Sequence, residues 1–302
     1  MALTSDDEVA DYVRSLGVPG IVDIHAHFMP EPVLRKVWAY FDKAGPELGR
    51  AWPIEYRWDD GRRLRHLAHM DVVATTSLNY AHRPGMAAWL NQWSADFAAQ
   101  HHDSLPRVIS SATFFPEPGV TDYVHRAIRG GARVVKVHVQ VGDFDVGDPR
   151  LDEVWGVLER HRIPVVIHAG SGPLPGTFTG PDPVSRLLAR HPHLRLVVAH
   201  FGLPEAEAFL DLCDEYEGVG LDTTMVGTDF LEAIGPLDRS LLPRVHRLGL
   251  AGRVWFGSDF PNIPYPYAHA IEALRRWDLG EDWMRSVLWH NAASLLGLPT
   301  AR

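Results

Sequence analysis

A chain of 302 residues, 46% hydrophobic and 22% charged, carries enough apolar material for a full core, which excludes intrinsic disorder. Its 38 Asp and Glu outnumber its 29 Lys and Arg, and the formal net charge of −9 at pH 7 argues against nucleic acid or an anionic membrane as partner. No 18-residue apolar run occurs, and the opening MALTSDDEVADYVRSLG is acidic where a secretion signal is basic, so a cytoplasmic protein is expected.

The elements alternate along the chain. The first short apolar run, 20–27 (GIVDIHAH), leads into a segment, 28–69, that is too long for an ordinary βα loop. That segment holds its own helical stretch at 32–43 and an aromatic turn, AWPIEYRWDDG. Two readings compete for it: a packing insertion, or a cap that contributes Trp52, Tyr56, Arg57 or Trp58 to a site. Further runs at 72–80, 107–115, 134–140, 164–170, 194–200, 219–224 and 254–260 are separated by helical patterns at 85–100, 121–129, 152–160, 182–190, 205–214, 238–247 and 267–276. A last helical pattern, 282–296, is expected to pack outside. The lone cysteine, Cys213, lies in the helical pattern PEAEAFLDLCDEY and reads as a small buried thiol rather than a nucleophile. Eight strands in βα alternation predict one α/β domain over residues 1–302, a (β/α)8 TIM barrel with an insertion after strand 1 at 28–69. A doubly wound sheet is the alternative, but it would place a glycine-rich phosphate turn after the first strand, where this chain has histidines.

Seventeen histidines make the chain informative through their positions. In a parallel barrel the C-terminal ends of the strands converge on one mouth. The first run ends D-I-H-A-H, and a period of two sends Asp23, His25 and His27 to one side. The fifth run ends at His168, the sixth at His200 and the eighth at Asp259. One such histidine is ordinarily structural, but four strands ending in ligand-type groups point to a divalent ion, for which imidazole and carboxylate suit Zn²⁺. The remaining histidines fall in loops or helical stretches, except His138.

The fourth run carries Lys136 and His138 on one side, and Lys136 is one of only three lysines. A lysine in an apolar strand must be paired or modified. Pairing with a carboxylate such as Asp23 is the reading favoured here over a carbamylated, metal-bridging lysine. His138 is a candidate pocket residue. Arg83 and Arg57 are candidates for an anionic substrate, and Phe28, Tyr80 and Phe201, which follow strand ends, for flanking a planar one.

The motifs D-I-H-A-H at 23–27, K-V-H at 136–138, V-V-I-H at 165–168, V-A-H-F-G at 198–202, G-S-D-F-P at 257–261 and N-A-A-S-L-L-G-L at 291–298 span nearly the whole chain. Together they resemble the amidohydrolase superfamily, and within it the amidohydrolase-2 branch that includes aminocarboxymuconate-semialdehyde decarboxylase. The resemblance implies that His25, His27, His168 and Asp259 hold one divalent ion, usually zinc, with manganese the other candidate. It implies that His200 reaches the metal-bound water or the substrate. Asp259, by general acid–base chemistry, is expected to accept the water's proton and deliver it to the leaving group. Hydrolysis of a C–N or C–O bond in a small, carboxylate- or carbonyl-bearing molecule is the first expectation. Some decarboxylases of the branch replace the first histidine of H-x-H with glutamate; this chain keeps His25, which leaves decarboxylation of an unsaturated or aromatic acid as the alternative. A catalytically silent binding protein on the same fold is a third reading. A small-molecule partner is expected, and a homo-oligomer is open.

Overall fold

In the computed structural model, which describes residues 2–299, the apolar runs become nine short strands. They are β1 (Ile21–Asp23), β2 (Val72–Thr76), β3 (Arg107–Ile109), β4 (Ser111–Thr113), β5 (Val134–His138), β6 (Val165–His168), β7 (Leu196–Val198), β8 (Val219–Asp222) and β9 (Val254–Trp255). Every pairing between neighbours is parallel, in the orders β1-β2-β3 and β4-β5-β6-β7-β8-β9. The run at 107–115, expected as one strand, divides at Ser110: residues before it pair with β2, and residues after it with β5.

The far edges of the two sheets meet. Ile24 N–H donates to the Phe256 carbonyl at 3.1 Å, Asp259 N–H to the His25 carbonyl at 2.8 Å and His27 N–H to the Phe260 carbonyl at 2.7 Å. These bonds join the segment after β1 to the segment after β9 and complete the ring of a TIM barrel. The strands are shorter than the apolar runs, and at this seam Asp259, at φ 69°, departs from extended backbone. His25 and His27 therefore lie just beyond β1 rather than within it.

Helices separate consecutive strands, except β3 and β4, which only Ser110 divides, and they cover the ring, as right-handed crossover connections require. Ala87–Gln100, Val120–Arg129, Asp152–Arg160, Pro181–Arg190, Ala206–Glu215 and Tyr267–Arg275 follow the sequence patterns closely. The pattern at 238–247 instead becomes a 3₁₀ turn, Arg239–Leu241, leading into a helix, Leu242–Leu250. Asp238 caps that turn by accepting the Ser240 N–H at 2.8 Å. The last pattern breaks into Glu281–Arg285, a π-helical turn Ser286–His290, and Asn291–Leu296. Its role is more than outer packing: the Val287 carbonyl accepts the Phe256 N–H at 3.1 Å, and Asn291 Nδ2 donates to the carbonyls of Gly249 and Val254, each at 2.8 Å. Cys213 is fully buried, and burial pushes its thiol up to about 12, so it is the inert thiol the sequence suggested.

The insertion folds into helices Glu31–Phe41, Gly45–Leu48 and Asp60–His69. Its aromatic turn fastens it to the seam. Trp52 Nε1 donates to the Asn262 carbonyl at 2.8 Å, and Tyr56 packs on Phe260 with ring centroids 4.7 Å apart. The Tyr56 hydroxyl donates to Asp6 Oδ2 at 2.6 Å and accepts the Tyr267 N–H at 2.7 Å. No helix among the described residues is long and apolar enough to cross a membrane.

Candidate metal centre

Three side chains from the two ends of the chain converge at the seam. His27 Nε2 lies 2.9 Å from Asp259 Oδ1, and His25 Nε2 lies 3.6 Å from the same oxygen. Ligand-type atoms of His25, His27 and Asp259 all fall within 4.8 Å of one another. Both histidines are buried, and the backbone bond from Asp259 N–H to the His25 carbonyl holds the carboxylate beside them.

The outer nitrogens are tied off. His25 Nδ1 donates to Asp222 Oδ2 at 2.8 Å, His27 Nδ1 to the Leu78 carbonyl at 3.0 Å, and His200 Nδ1 to the Thr224 carbonyl at 3.0 Å. A neutral imidazole has one N–H, so each ring keeps a lone pair on Nε2. For His27 that lone pair faces the lone pairs of Asp259, an arrangement that a cation between the two completes. Histidines oriented by outer carbonyls and carboxylates, with a carboxylate alongside, are the donor set of a divalent-ion site, and the residues present fit one.

Electrostatics favour the same form. Burial, reinforced by the Lys136 ammonium, pulls His25 down to about 3, and burial holds His138 and His168 well below the usual histidine value. These rings are neutral at pH 7, the state that binds metal. Burial alone would raise Asp259 and Asp222. The imidazole of His27 beside Asp259, and that of His25, whose Nδ1–H donates to Asp222, keep both carboxyls well below the usual range. His200 and Asp259 both occupy left-handed backbone, at φ 54° and 69°, and such strain persists where surrounding structure enforces it.

His168 ends β6 at the same mouth but does not join the three. Parallel register sets it beside His138, their rings stack at 4.1 Å, and its Nε2 bonds the Gly172 carbonyl at 3.2 Å. His200 lies between, its ring centroid 4.8 Å from that of His168 and 5.2 Å from that of His25. Lys136 does not pair with Asp23. Its Nζ donates to His25 Nε2 at 2.9 Å, and burial lowers it to about 8. Asp23 is occupied below, accepting from Ser258 Oγ at 2.5 Å and the Tyr267 hydroxyl at 3.0 Å, with burial raising it to about 6.

The mouth opens into a cavity of about 990 Å³ lined by all five strand-end candidates. Tyr80, Arg83 and His138 line it, and Tyr80 stands with its ring 5.8 Å from His27 and 5.0 Å from His138. Phe28 and Phe201 do not. Phe28 is fully buried against Phe97, and Phe201, turned by a φ of 55°, is buried against Trp277. Of the insertion's candidates, Trp52 lines the cavity, whereas Arg57 pairs with Asp42 and Tyr56 and Trp58 pack elsewhere.

The residue that sequence reasoning passed over is Asp222. It ends β8 (VGLD) as the other candidates end their strands, so the same positional criterion would have found it. Besides orienting His25, its Oδ1 accepts the N–H groups of His200 and Thr224 at 2.9 and 3.0 Å. Gly257 was quoted only as part of a motif. A Cβ there would lie 2.2 Å from Thr224 Oγ1 and 2.6 Å from the His25 Cβ, so the close approach demands glycine.

Solved structures share this architecture. An uncharacterised TIM-barrel protein from Bordetella bronchiseptica (Bb4693) matches with a TM-score of 0.72 at 18% identity, over 92% of this chain and 99% of that one. A dihydroorotase from Campylobacter jejuni matches with a TM-score of 0.57 at 13% identity, over 94% of this chain and 85% of that one. An L-hydantoinase (dihydropyrimidinase) from Arthrobacter aurescens matches with a TM-score of 0.60 at 14% identity, over 92% and 71%. No curated protein matches the chain. The family model described as Amidohydrolase (Amidohydro_2) matches residues 22–298, almost the full length, and the chain belongs to that family.

Proposed function

We propose that this protein is a metal-dependent hydrolase that uses water to cleave a C–N or C–O bond next to a carbonyl. The observation that carries the reading is the meeting of His25 Nε2, His27 Nε2 and Asp259 Oδ1 within 4.8 Å, with the outer nitrogens of both rings bound to acceptors. His25, His27 and Asp259 would hold one divalent ion, zinc by donor type, with His168 reaching it after exchanging its bond to Gly172. Such an ion polarises a carbonyl and lowers the pKa of water toward neutrality.

The chain's own groups supply the rest. Asp259, ionised at neutral pH, is placed to accept a proton from the attacking water and pass it to the leaving group. His200, with its Nδ1–H held by Thr224, presents Nε2 to the cavity and orients water or substrate. Tyr80 and His138 stand opposite and position the substrate beside the pair.

Metal analysis and turnover test the reading together. Protein purified without chelators is expected to carry about one divalent ion per chain, lost in His25→Ala, and to hydrolyse members of a panel of lactones and amides. Removing the ion should abolish turnover, and zinc or manganese should restore it. Protein that neither holds nor responds to either ion, or that releases CO₂ from carboxylic acids without adding water, would overturn the proposal.

A further inference from the structure

Burial grades the lining of the cavity. Buried His25, His27 and Lys136 belong to its floor, and buried or half-buried apolar residues, Val37, Phe41 and Trp52 from the insertion and Met225, Leu231 and Ile234 from beyond β8, make its collar. Apolar surface continues outward past the rim. Of the six exposed large hydrophobics among the described residues, Tyr40, Trp89 and Val141 line this one cavity, 50%, 48% and 44% exposed. A volume near 990 Å³ lies at the upper end of what a drug-sized ligand fills, well beyond the need of a molecule of a few carbons.

The charge is as uneven as the polarity. In a chain of net charge −9, Asp259 is the single acidic residue of the lining, whereas two of the three lysines, Lys36 and Lys136, and also Arg83 belong to it. Lys36 comes from helix Glu31–Phe41 of the insertion, and Arg83 from the loop after β2. Among the described residues neither makes an ion pair or a side-chain hydrogen bond. His82 lies with them, and behind burial it is the charges of Arg83 and Lys36 that lower it. Glu117, which touches the same loop, is bound to the Gly85 N–H and does not line the cavity. Unpaired cations at the mouth of a low-dielectric cleft attract and orient an anion.

We infer that the substrate is an elongated organic acid. Its reacting carbonyl meets the floor, its apolar or aromatic span fills the collar, and its remote carboxylate rests on Lys36 and Arg83. The assignment of the reacting end rests on the hydrolase reading above, whereas recognition of the remote acid does not.

A matched pair of non-hydrolysable probes tests recognition by itself. 3-(4-Acetylphenyl)propanoate carries a carboxylate across an aromatic span from a ketone, and 4-(4-acetylphenyl)butan-2-one replaces that acid with a neutral methyl ketone. Binding is followed by tryptophan fluorescence, because Trp52 and Trp89 line the cavity. The acid is expected to bind on the order of tenfold more tightly than the diketone, the sum of two rim-exposed charge contacts. The Lys36→Ala/Arg83→Ala double variant, altered at two exposed positions, should bind both probes alike. Equal binding by the parent protein, failure of either probe to bind, or an acid preference that survives in the double variant because the acid has gone to the floor would each overturn the inference. Absence of turnover alongside a rim-dependent acid preference would sink the hydrolase reading and leave this one standing.

Discussion

Asp222 reaches His25 from β8, on the other side of the β9 strand that carries the chain toward Asp259, and binds its Nδ1 at 2.8 Å. Its second oxygen fixes the backbone of His200 and Thr224, so one carboxylate sets the tautomer of one imidazole and the position of another. Asp222→Asn is expected to weaken metal binding about 10- to 100-fold while leaving the barrel folded. Competition with a chromogenic chelator reads the affinity, and circular dichroism reads the fold. Unchanged affinity would remove Asp222 from the site's support.

Gly257 makes a steric prediction. A methyl group there collides with Thr224 Oγ1 and the His25 Cβ, neither of which can move without disturbing the seam. Gly257→Ala should destabilise the fold by about 1–3 kcal/mol and lower metal occupancy, by denaturant titration and metal analysis. Parent-like occupancy would show that the seam yields more readily than its packing indicates.

Asn291 clamps the last helix onto the barrel through two carbonyls, those of Gly249 and Val254. Asn291→Ala strands the Val254 carbonyl in a buried setting, whereas the Gly249 carbonyl keeps the Gly252 N–H at 3.2 Å. A loss of about 2–3 kcal/mol is expected, measured as a lowered urea midpoint with unchanged slope.

Asp6 governs an acid limb of stability. Burial by itself would raise its pKa, but the bonds from His66, Tyr56 and the Ala268 N–H hold it below the ordinary value of 3.8. A depressed folded-state pKa contributes stability that is complete above the unfolded value and is lost as pH falls through the folded one. At pH 6 Asp6→Asn should be less stable than the parent by about 2 kcal/mol, and the gap should close as pH falls below 3.8. Melting temperatures across pH 2–7 follow this, and a gap that stays constant would refute it.

The barrel and the meeting of three strand-end side chains could be read from the sequence because parallel strands bring their C-terminal ends together whatever their separation along the chain. His25, His27 and Asp259 needed nothing more than that rule. His168 obeyed it too, but a residue's place at a strand end does not determine the direction of its ring, and the Gly172 carbonyl with the His138 face turned it aside. Phe28 and Phe201 were misjudged for a backbone reason. The ladder ends early at the seam, and the left-handed turn at His200 and Phe201 rotates the next ring into the core. Lys136 was correctly seen to need a partner. That the partner is a neutral imidazole rather than Asp23 depends on tertiary competition, because Ser258 and Tyr267 had already taken the carboxylate. Within the insertion, composition could not separate Trp52, which faces the cavity, from Tyr56 and Trp58, which fasten it down.

The Asp259 to His25 backbone bond and the Ser258 to Asp23 contact, the latter linking residues 235 positions apart, place the histidine pair and its carboxylate on opposite lips of the join between the first and last strands. On the proposed reading, ion capture by all three residues and closure of the ring would therefore be one event. A polypeptide whose final strand has not yet docked would offer a cation only a two-histidine half-site, so loading would report on completed folding, and the ion would in turn act as a clasp on a strongly non-local contact.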